Sequence, residues 1–599
     1  MTATILNDCV FPLGALCRSD GIHFAAPLYP QRECGIYLVP KKQRLENGIK
    51  IPLNYHMGDI YYGRLTGVDP ADYFYCFYQD DTLVSDVNMR KLAGKRVYGT
   101  QMEEVTLAAF YENCFDWEED YCPKISWGNC IHYLLHVRGF TKHSSSKVKN
   151  KGTFAGLLEK IPYLKELGIT TLELMPAYEF EEKESVVETG ASEPSEYRLN
   201  FWGYKEGLYY VPKSGYSAVE DSCEEMKRLV KELHKNHMEL ILQFFFPKEY
   251  RIDQIRDILV WWRQEYHVDG FHVKGPDIWI EQIAADPVMS DTKLIYERYD
   301  VHQIYEEKKQ IGYKNLALMD ENSISCLRRF LKGDDNMIGE VQKLYYESSP
   351  YYGVIHSLTN YNTFTLWDML SYDRKHNESN GEFNRDGTDE NYSWNCGEEG
   401  ASRKKAVLTL RRKQFKNAIA LLFTLPGTPM LCAGDEFART CCGNNNPYCQ
   451  DNEINWVNWK LLDKNKDLFL FVNQMIELRK KHNILHLESG LKMLDSLSCG
   501  CPDLSFHSEE AWRNPRLAYE HHFGVMLCGD YAEDDYFYVA YNMHWQKHVF
   551  ALPNLPKGLE WKLELETGND KDLIADDARK AVLESRCIRV YRSFPRKGF

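Results

Sequence analysis

Short segments in which apolar and polar residues alternate occupy the first part of the chain, up to about residue 115. Residues 21–25 and 34–40 alternate with a period of two, and residues 73–78 form a further segment rich in aromatic residues. A period of two is the pattern of a strand with one buried face. The pattern predicts a β-sandwich domain over residues 1–115.

The pattern changes at about residue 130, where nearly continuous apolar segments begin to alternate with helical stretches. Strands that are apolar throughout are typical of a parallel sheet covered by helices on both faces. Eight such segments predict a (β/α)8 barrel over residues 116–488, a fold in which functional residues lie at the carboxyl ends of the strands. The segments are residues 131–137, 171–176, 239–246, 268–273, 293–296, 315–318, 354–358 and 429–432.

Strand-like segments return after about residue 490. Residues 536–541 and 561–565 predict a second, smaller β-sandwich over residues 489–599. Residues 181–197, inside the barrel region, are polar and acidic, which is typical of a mobile surface loop. The predicted fold class is therefore α/β, with a central (β/α)8 TIM barrel between N-terminal and C-terminal β-sandwich domains.

Composition narrows the classes of partner. Hydrophobic residues make up 44% of the 599 residues and charged residues 27%, as in ordinary globular proteins. The formal net charge of −15 argues against a nucleic-acid partner, because phosphate binding needs clustered Lys and Arg. The first 21 residues carry no signal-peptide pattern, and no apolar run has the length of a membrane span. We therefore expect a cytoplasmic protein without a membrane partner.

Eighteen cysteines are scattered along the chain. Cys441–Cys442 and Cys499–Gly500–Cys501 are close pairs, but neither has a matching second pair or nearby histidines in the sequence. We therefore expect reduced thiols, no metal site and no cofactor.

Several long polar motifs are specific enough to indicate ancestry. They are residues 12–15, 136–141 and 200–204, then 371–382, 384–388 and 393–397, and finally 427–431, 433–437, 443–446 and 448–453. With these motifs the whole chain resembles the isoamylase and bacterial glycogen-debranching branch of glycoside hydrolase family 13. The resemblance implies the barrel fold and an N-terminal glycogen-binding-type sandwich of carbohydrate-binding module family 48. Activity follows from neither fold nor ancestry.

The resemblance places the nucleophile of the family at the end of the fourth strand, in a Gly-Phe-Arg-x-Asp pattern. The arginine and aspartate of that pattern correspond here to His272 and Lys274. Side chains two apart on a strand share a face, so both should point into the site. A retaining glycosidase attacks with a carboxylate. Lysine cannot form the glycosyl ester, so the double displacement has no first step.

The same resemblance implies that Glu297, after the fifth strand, is the retained general acid. If Lys274 faces Glu297 as the nucleophile would, the two should form an ion pair. The ammonium would then lower the pKa of the carboxyl, whereas a general acid needs a raised pKa. Glu297 is thus either a weakened acid or simply a charge partner.

Two further positions of the family site are changed. The third acid corresponds to Asn362, and Tyr361 stands where the preceding sugar-binding histidine would be. A buried aspartate on the third strand corresponds to Gln243. Only residues 249–267 separate Lys248 from the fourth strand, where the family carries an excursion that forms one wall of the cleft. We expect a helix over residues 253–266 and a more open cleft.

The candidate glucan-binding residues are Trp202, Tyr204 and Tyr361. For the first two, stacking on a sugar ring and ordinary packing at the barrel rim remain equally open. His272 could titrate near neutral pH or simply be a hydrogen-bonded buried histidine. Asp435 and Glu436 belong to a structural motif of the family.

Three functions remain open at this point. The missing acids favour a pseudoenzyme in glycogen or starch metabolism, which binds α-glucan or regulates an active debranching partner. The second is an active α-1,6-glucan hydrolase that uses Glu297 and a non-standard nucleophile, for which Asp277 is the nearest spare carboxylate. The third is a structural scaffold without glycan affinity.

Overall fold

The computed structural model describes residues 3–101, 104–186, 196–305, 312–488, 490–515, 517–568 and 579–596. Antiparallel sheets at the two ends of the chain flank a closed barrel of eight parallel strands. This arrangement confirms the predicted fold class. The domain boundaries after residues 115 and 488 stay predictions.

The N-terminal region is a sandwich of two five-stranded antiparallel sheets, with strand orders β1-β7-β3-β2 and β10-β8-β4-β5. Strand β6 extends the first sheet and β9 the second. The strands are β1 (Thr4–Leu6), β2 (Gly14–Arg18), β3 (Gly21–Pro27), β4 (Cys34–Pro40), β5 (Ile49–Pro52), β6 (Tyr55–Met57), β7 (Ile60–Thr66), β8 (Tyr73–Gln79), β9 (Thr82–Val84) and β10 (Ala108–Ala109). Phe24 packs edge-on against Tyr75 at 5.3 Å between ring centroids and joins the two sheets.

Each of the eight predicted apolar segments contributes one barrel strand. The barrel order is β11-β12-β17-β18-β19-β20-β21-β22, while β13 pairs with β16 and β14 with β15 outside it. The strands are β11 (His132–Leu135), β12 (Thr171–Leu174), β13 (Tyr178–Phe180), β14 (Lys183–Val186), β15 (Glu196–Leu199), β16 (Gly207–Pro212), β17 (Glu239–Phe245), β18 (Gly270–Lys274), β19 (Lys293–Tyr296), β20 (Leu316–Met319), β21 (Tyr352–Ser357) and β22 (Thr428–Cys432).

Helices cover the outside of the barrel. The observed α5 confirms the helix predicted over residues 253–266. The α-helices are α1 (Val137–Thr141), α2 (Phe154–Leu158), α3 (Ile161–Leu167), α4 (Ser222–Lys235), α5 (Ile252–Tyr266), α6 (Ile280–Ala284), α7 (Val301–Ile304), α8 (Glu321–Lys332), α9 (Ile338–Tyr346), α10 (Lys405–Thr424), α11 (Lys460–Lys464) and α12 (Lys466–Lys481).

Alternation along the barrel strands separates an outer core from an inner one. On β17, Leu240 and Leu242 belong to the large core shared with the helices, whereas Ile241 lies inside with Leu134 and Ile295. The amino end of the barrel is closed by a buried ion pair between Lys293 and Glu239. The barrel interior is therefore packed with side chains, as is usual for eight strands.

The C-terminal region contains a five-stranded antiparallel sheet, in the order β23-β24-β25-β29-β27, and the two-stranded sheet β26-β28. Phe523 and Tyr541 pack against Phe330 of the barrel region, while Tyr538 packs on the opposite face with Phe550. The strands are β23 (Leu504–His507), β24 (His522–Leu527), β25 (Phe537–Asn542), β26 (His548–Ala551), β27 (Leu559–Glu566), β28 (Lys580–Leu583) and β29 (Cys587–Pro595).

The prediction of a mobile loop over residues 181–197 was wrong at the two ends of that range. Strands β14 and β15 form an antiparallel hairpin in which Lys183 lies opposite Leu199. Residues 187–195 lie outside the described residues. Within the described part of the chain, no helix is long and apolar enough to cross a membrane.

Candidate functional site

The carboxyl ends of the barrel strands meet at a mouth that contains most of the predicted site residues. Gln243 on β17 lies in register with His272 on β18, and Lys274 is the last residue of β18. Gln243 and His272 are buried, and Lys274 is half-buried. As the strand alternation predicted, these side chains belong to the same end of the barrel.

Glu173 on β12 organises this end of the barrel, although the sequence analysis did not select it. Its buried carboxylate accepts hydrogen bonds from His132, from the Gln243 amide, and from His272 Nδ1 at 2.7 Å. Four side chains from four neighbouring strands thus form one buried polar network. The signal in the sequence was a glutamate in the otherwise apolar segment 171–176, since a charge in such a strand needs a buried partner.

The network keeps one fixed negative charge inside the barrel. Burial alone would raise the pKa of Glu173, but His272 and His132 outweigh it and hold that pKa well below its usual range. Burial, reinforced by the Lys274 ammonium, lowers the pKa of His272 to about 4. At neutral pH His272 is therefore a neutral ring that donates to Glu173, which is the hydrogen-bonded alternative for this histidine.

Three aromatic rings fill the mouth above this network. Tyr361, from the loop after β21, lies 4.7 Å from Tyr204 and 5.0 Å from Trp202 between ring centroids. The Tyr204 hydroxyl donates to Gln243, which links the rings to the Glu173 network. Trp202 is only 9% exposed. The three candidate sugar-binding residues thus pack on one another, and their contact with a sugar stays a prediction.

A small cavity lies on the β11 and β22 side of the mouth. The cavity beside Trp202 and Tyr361 has a volume of about 50 Å³. Such a volume holds a few water molecules but no sugar ring.

The structure describes both Lys274 and Glu297, and they do not form the predicted ion pair. The Lys274 ammonium lies over the Tyr361 ring, 5.3 Å from its centroid. Glu297 follows the last residue of β19, and its side chain is exposed. The prediction was wrong because it treated the two residues as facing each other across one site, whereas Lys274 turns to the aromatic rings and Glu297 to solvent.

Glu297 instead lines an open cleft beside the mouth, formed by the segments that follow β18 and β19. The cleft has a volume of about 1070 Å³, and its lining includes Asp277, Trp279, Glu297 and Asp300. Trp279 is 64% exposed. Asp277 forms an exposed ion pair with Lys248 at 3.1 Å. An exposed ring beside several carboxylates can stack on a sugar and accept hydrogen bonds from its hydroxyls.

Asn362 is exposed and lies beside Tyr361 in the loop after β21. Arg328 on α8 fixes this loop from below, because its guanidinium donates to the carbonyl oxygens of Leu358 at 2.7 Å and Phe364 at 2.9 Å. Asp435 accepts from the Leu366 backbone N–H at 2.9 Å and from the Thr359 hydroxyl. The ring of Tyr361 is thus held in place by an anchored loop.

Asp435 and Glu436 are both buried. Glu436 accepts hydrogen bonds from the hydroxyls of Tyr133 and Tyr163. Burial raises the pKa of Glu436 to about 7. These contacts connect parts of the barrel to each other, in keeping with the structural motif expected from the sequence. Among the described residues, none of the side-chain groups spaced for a metal ion lies at the mouth.

Comparisons with known proteins agree with this geometry. Residues 138–247 match the family profile described as the catalytic domain of α-amylase. A glycogen debranching enzyme of Serratia proteamaculans is 30% identical over 78% of this chain and 84% of its own length. Isoamylase 3 of rice chloroplasts is 28% identical over 93% of this chain and 82% of its own length.

The fold has a solved counterpart. A pullulanase from Paenibacillus barengoltzii superposes with a TM-score of 0.73 at 19% identity, over 98% of this chain and 96% of that one. The specific motifs, the barrel and the 30% identity to a relative matched over most of its length point to one ancestry. The chain belongs to the isoamylase and glycogen-debranching group of glycoside hydrolase family 13.

Proposed function

We propose that this protein is a pseudoenzyme of α-glucan metabolism, which binds glycogen- or starch-type chains without hydrolysing them. The observation that carries the proposal is the filled mouth of the barrel. Lys274 stands where the family resemblance implies the nucleophile, and its ammonium lies over the ring of Tyr361, which packs on Trp202 and Tyr204. The attacking carboxylate implied by the family is therefore missing, and packed aromatic rings lie at the mouth beside Lys274.

The remaining carboxylates do not rebuild a catalytic pair. Glu173 is buried and saturated by donors from three side chains. Glu297 and Asp277 lie in the open cleft, where water reaches them. A general acid needs a raised pKa and a site from which water can be excluded. Loss of a nucleophile alone lowers the rate of a concerted site by about 10⁴ to 10⁶.

Glucan binding is supported by the open cleft and by the relatives. The pullulanase structure is described as a complex with maltohexaose and α-cyclodextrin, and another similar structure is a product complex of a glycogen-degrading protein. In this chain the exposed Trp279 offers a stacking surface in a cleft of about 1070 Å³. That volume accommodates several sugar units, since pockets for drug-sized ligands span about 300–1,000 Å³.

Hydrolysis is tested with a reducing-end assay on glycogen and pullulan, using the intact protein and the variant Glu297→Gln. We expect no release above the buffer blank from either. Activity in the intact protein that falls at least tenfold in Glu297→Gln would establish the alternative, an active hydrolase with a non-standard nucleophile.

Binding is tested by affinity electrophoresis in gels that contain glycogen. We expect the glucan to retard the intact protein and to retard Trp279→Ala at least fivefold less. The matched control is Trp545→Ala, because Trp545 is 63% exposed but lies in the C-terminal region. If glycogen does not retard the intact protein, the result favours the alternative function, a structural scaffold without glycan affinity. Equal loss in both variants would remove the cleft as the binding site.

We also infer a regulatory partnership with an active debranching enzyme and a cytoplasmic location. The 18 cysteines, all free thiols, support a reducing compartment. The partnership is tested by adding the protein to a purified active isoamylase and measuring reducing ends from glycogen. A rate unchanged across a tenfold molar excess would exclude this regulation.

A further inference from the structure

Three cysteine thiols meet at one edge of the C-terminal region. The Sγ atoms of Cys501 and Cys528 are 3.0 Å apart, and that of Cys499 lies 3.7 Å from Cys528 and 4.0 Å from Cys501. Tetrahedral zinc binds thiolates at about 2.3 Å, which places the sulfur atoms of one site about 3.8 Å apart. Two of the three separations fit that spacing, and the Cys501–Cys528 separation is about 0.8 Å shorter, so the two thiolates would move apart slightly around the ion.

The fold explains why the sequence hides this triangle. Cys501 precedes β23 and Cys528 follows β24, and these strands pair antiparallel with Leu504 opposite Leu527. The end of one strand therefore lies beside the start of the other. The hydrogen bond from Cys528 N–H to the Asp503 carbonyl, at 3.0 Å, fixes the approach. A pair that lacked a partner in the sequence gains a third thiol in the structure.

The surroundings suit thiolates that are bound to a cation. Cys528 and Cys501 are buried, and Cys499 is half-exposed, which leaves a route for an ion to enter. The Asp530 backbone N–H is placed to donate to Cys528, while the Tyr536 hydroxyl donates to the Asp530 carboxylate at 2.5 Å. Such donors support metal-bound thiolates.

We propose that Cys499, Cys501 and Cys528 form a structural zinc site. Each thiol loses its proton to the solvent as its Zn–S bond forms, so one Zn²⁺ displaces three protons. The fourth position is open to a water molecule or to the carboxylate of Asp495, whose Oδ1 lies 3.6 Å from Cys499 Sγ. Zinc suits this set because thiolates are its usual ligands in closed structural sites.

A zinc ion at this site would hold an exposed segment, residues 492–500, against the end of β24. Residues 492–500 are exposed except for the half-exposed Cys499, and they are held mainly through the carboxylates of Asp495 and Asp503. A metal ion that joins Cys499 and Cys501 to Cys528 anchors this segment to the end of β24. Removal of the ion should free the segment and leave the barrel intact.

The test uses the full-length protein purified under reducing conditions. We expect about one zinc per chain by elemental analysis, and near-ultraviolet thiolate-to-metal absorption when Co²⁺ replaces Zn²⁺. Because three protons leave when zinc binds, the affinity for zinc should fall by up to about 10³-fold for each pH unit below neutrality. Chelation should increase protease cleavage within residues 492–500, and added zinc should reverse it.

Variants separate this site from other ligands in the chain. Cys499→Ser, at the half-exposed position, should weaken Co²⁺ binding at least tenfold and change the thiolate absorption. The matched control is Cys442→Ser, an exposed thiol of the barrel region, which should change neither. The proposal is overturned by intact protein that binds no zinc, by cobalt spectra without thiolate bands, or by a Cys501–Cys528 disulfide in the reduced preparation.

Discussion

At the scale of single residues, Lys274 changes both the chemistry and the filling of the barrel mouth. An ammonium over an aromatic face is stabilised by about 0.5–2 kcal/mol, and Lys274 makes this contact with Tyr361. The same ammonium helps to keep His272 neutral. Lys274 therefore supports both the aromatic packing at the mouth and the neutral state of His272.

Restoring the carboxylate alone should not restore catalysis. We expect the variant Lys274→Asp to release no reducing ends from glycogen above the blank, because Tyr361 still packs on Tyr204 at the mouth and Asn362 still lacks a charge. The reducing-end assay measures this directly. Lys248→Asp, at an exposed lysine, is the control for a general effect of the charge change. Turnover in Lys274→Asp, absent from the control, would mean that the mouth opens to glucan.

The sequence predicted these positions unevenly, for a physical reason. His272 and Lys274 could be placed at the mouth because strand alternation fixes which side chains share a face. The direction of Glu297 could not, since it lies beyond the end of β19, where that periodicity stops. The contacts of Glu173 with its neighbours depend on strand pairing across the barrel, which no local pattern encodes.

At the scale of elements, the loop after β21 decides the shape of the mouth. Arg328 is buried on α8, and burial lowers its pKa to about 10. Its guanidinium donates hydrogen bonds to the backbone oxygens of Leu358, Phe364 and Asn391. It also donates one to the Thr363 hydroxyl. The loop that carries Tyr361 is thus fixed by a helix on the outside of the barrel.

Replacing this arginine should loosen the loop. We expect Arg328→Met to lower the free energy of unfolding by about 2–4 kcal/mol, because several buried carbonyls lose their donors. Urea unfolding measures the loss, and limited proteolysis should show new cleavage within residues 358–366. Arg329→Met, at the partly exposed neighbour that pairs with Asp334, should change stability by less than about 1 kcal/mol. Equal effects in the two variants would contradict the anchoring role.

The barrel strands were predictable because each is an apolar run with turn residues at its ends. The hairpin of β14 and β15 was not, since its composition is that of a loop and its pairing satisfies the backbone without an apolar face. Likewise, the sequence indicated a shortened wall between β17 and α5, but the cleft beside Trp279 depends on how the following segments fold back.

At the scale of the whole molecule, several buried histidines should make stability depend on pH. Burial lowers the pKa of His136 to about 3 and that of four others to about 4, namely His272, His486, His507 and His522. Between about pH 6.5 and 4 the unfolded chain binds protons at these positions and the folded chain does not. Stability therefore falls as the pH falls through this window.

One histidine has the opposite shift. Burial would lower the pKa of His234, but Asp120 and Asp269 outweigh it and raise it to about 9. A raised pKa gives stability that is fully present below about pH 6.5 and is lost as the pH rises through 9. His234 therefore does not offset the acid-side loss within the window from 6.5 to 4.

We expect the first urea-unfolding transition to lie at a lower urea concentration at pH 5 than at pH 7, with a loss of several kcal/mol. His272→Gln should reduce this pH dependence, because it removes one buried neutral ring. The exposed His56 provides the control, and His56→Gln should leave the dependence unchanged. A midpoint that is equal or higher at pH 5 would show that these rings are not held neutral in the folded protein.

The filled mouth has a consequence for what selection can act on. An active site holds charges and open space that lower stability, and enzymes keep them because activity depends on them. Here the aromatic rings close one end of the barrel and the Lys293–Glu239 pair closes the other. For the proposed pseudoenzyme, the trade-off between stability and turnover no longer applies. Substitutions inside the proposed pseudoenzyme's barrel would then be constrained by packing and by buried polar contacts such as those of Glu173 and Glu239, and no longer by turnover.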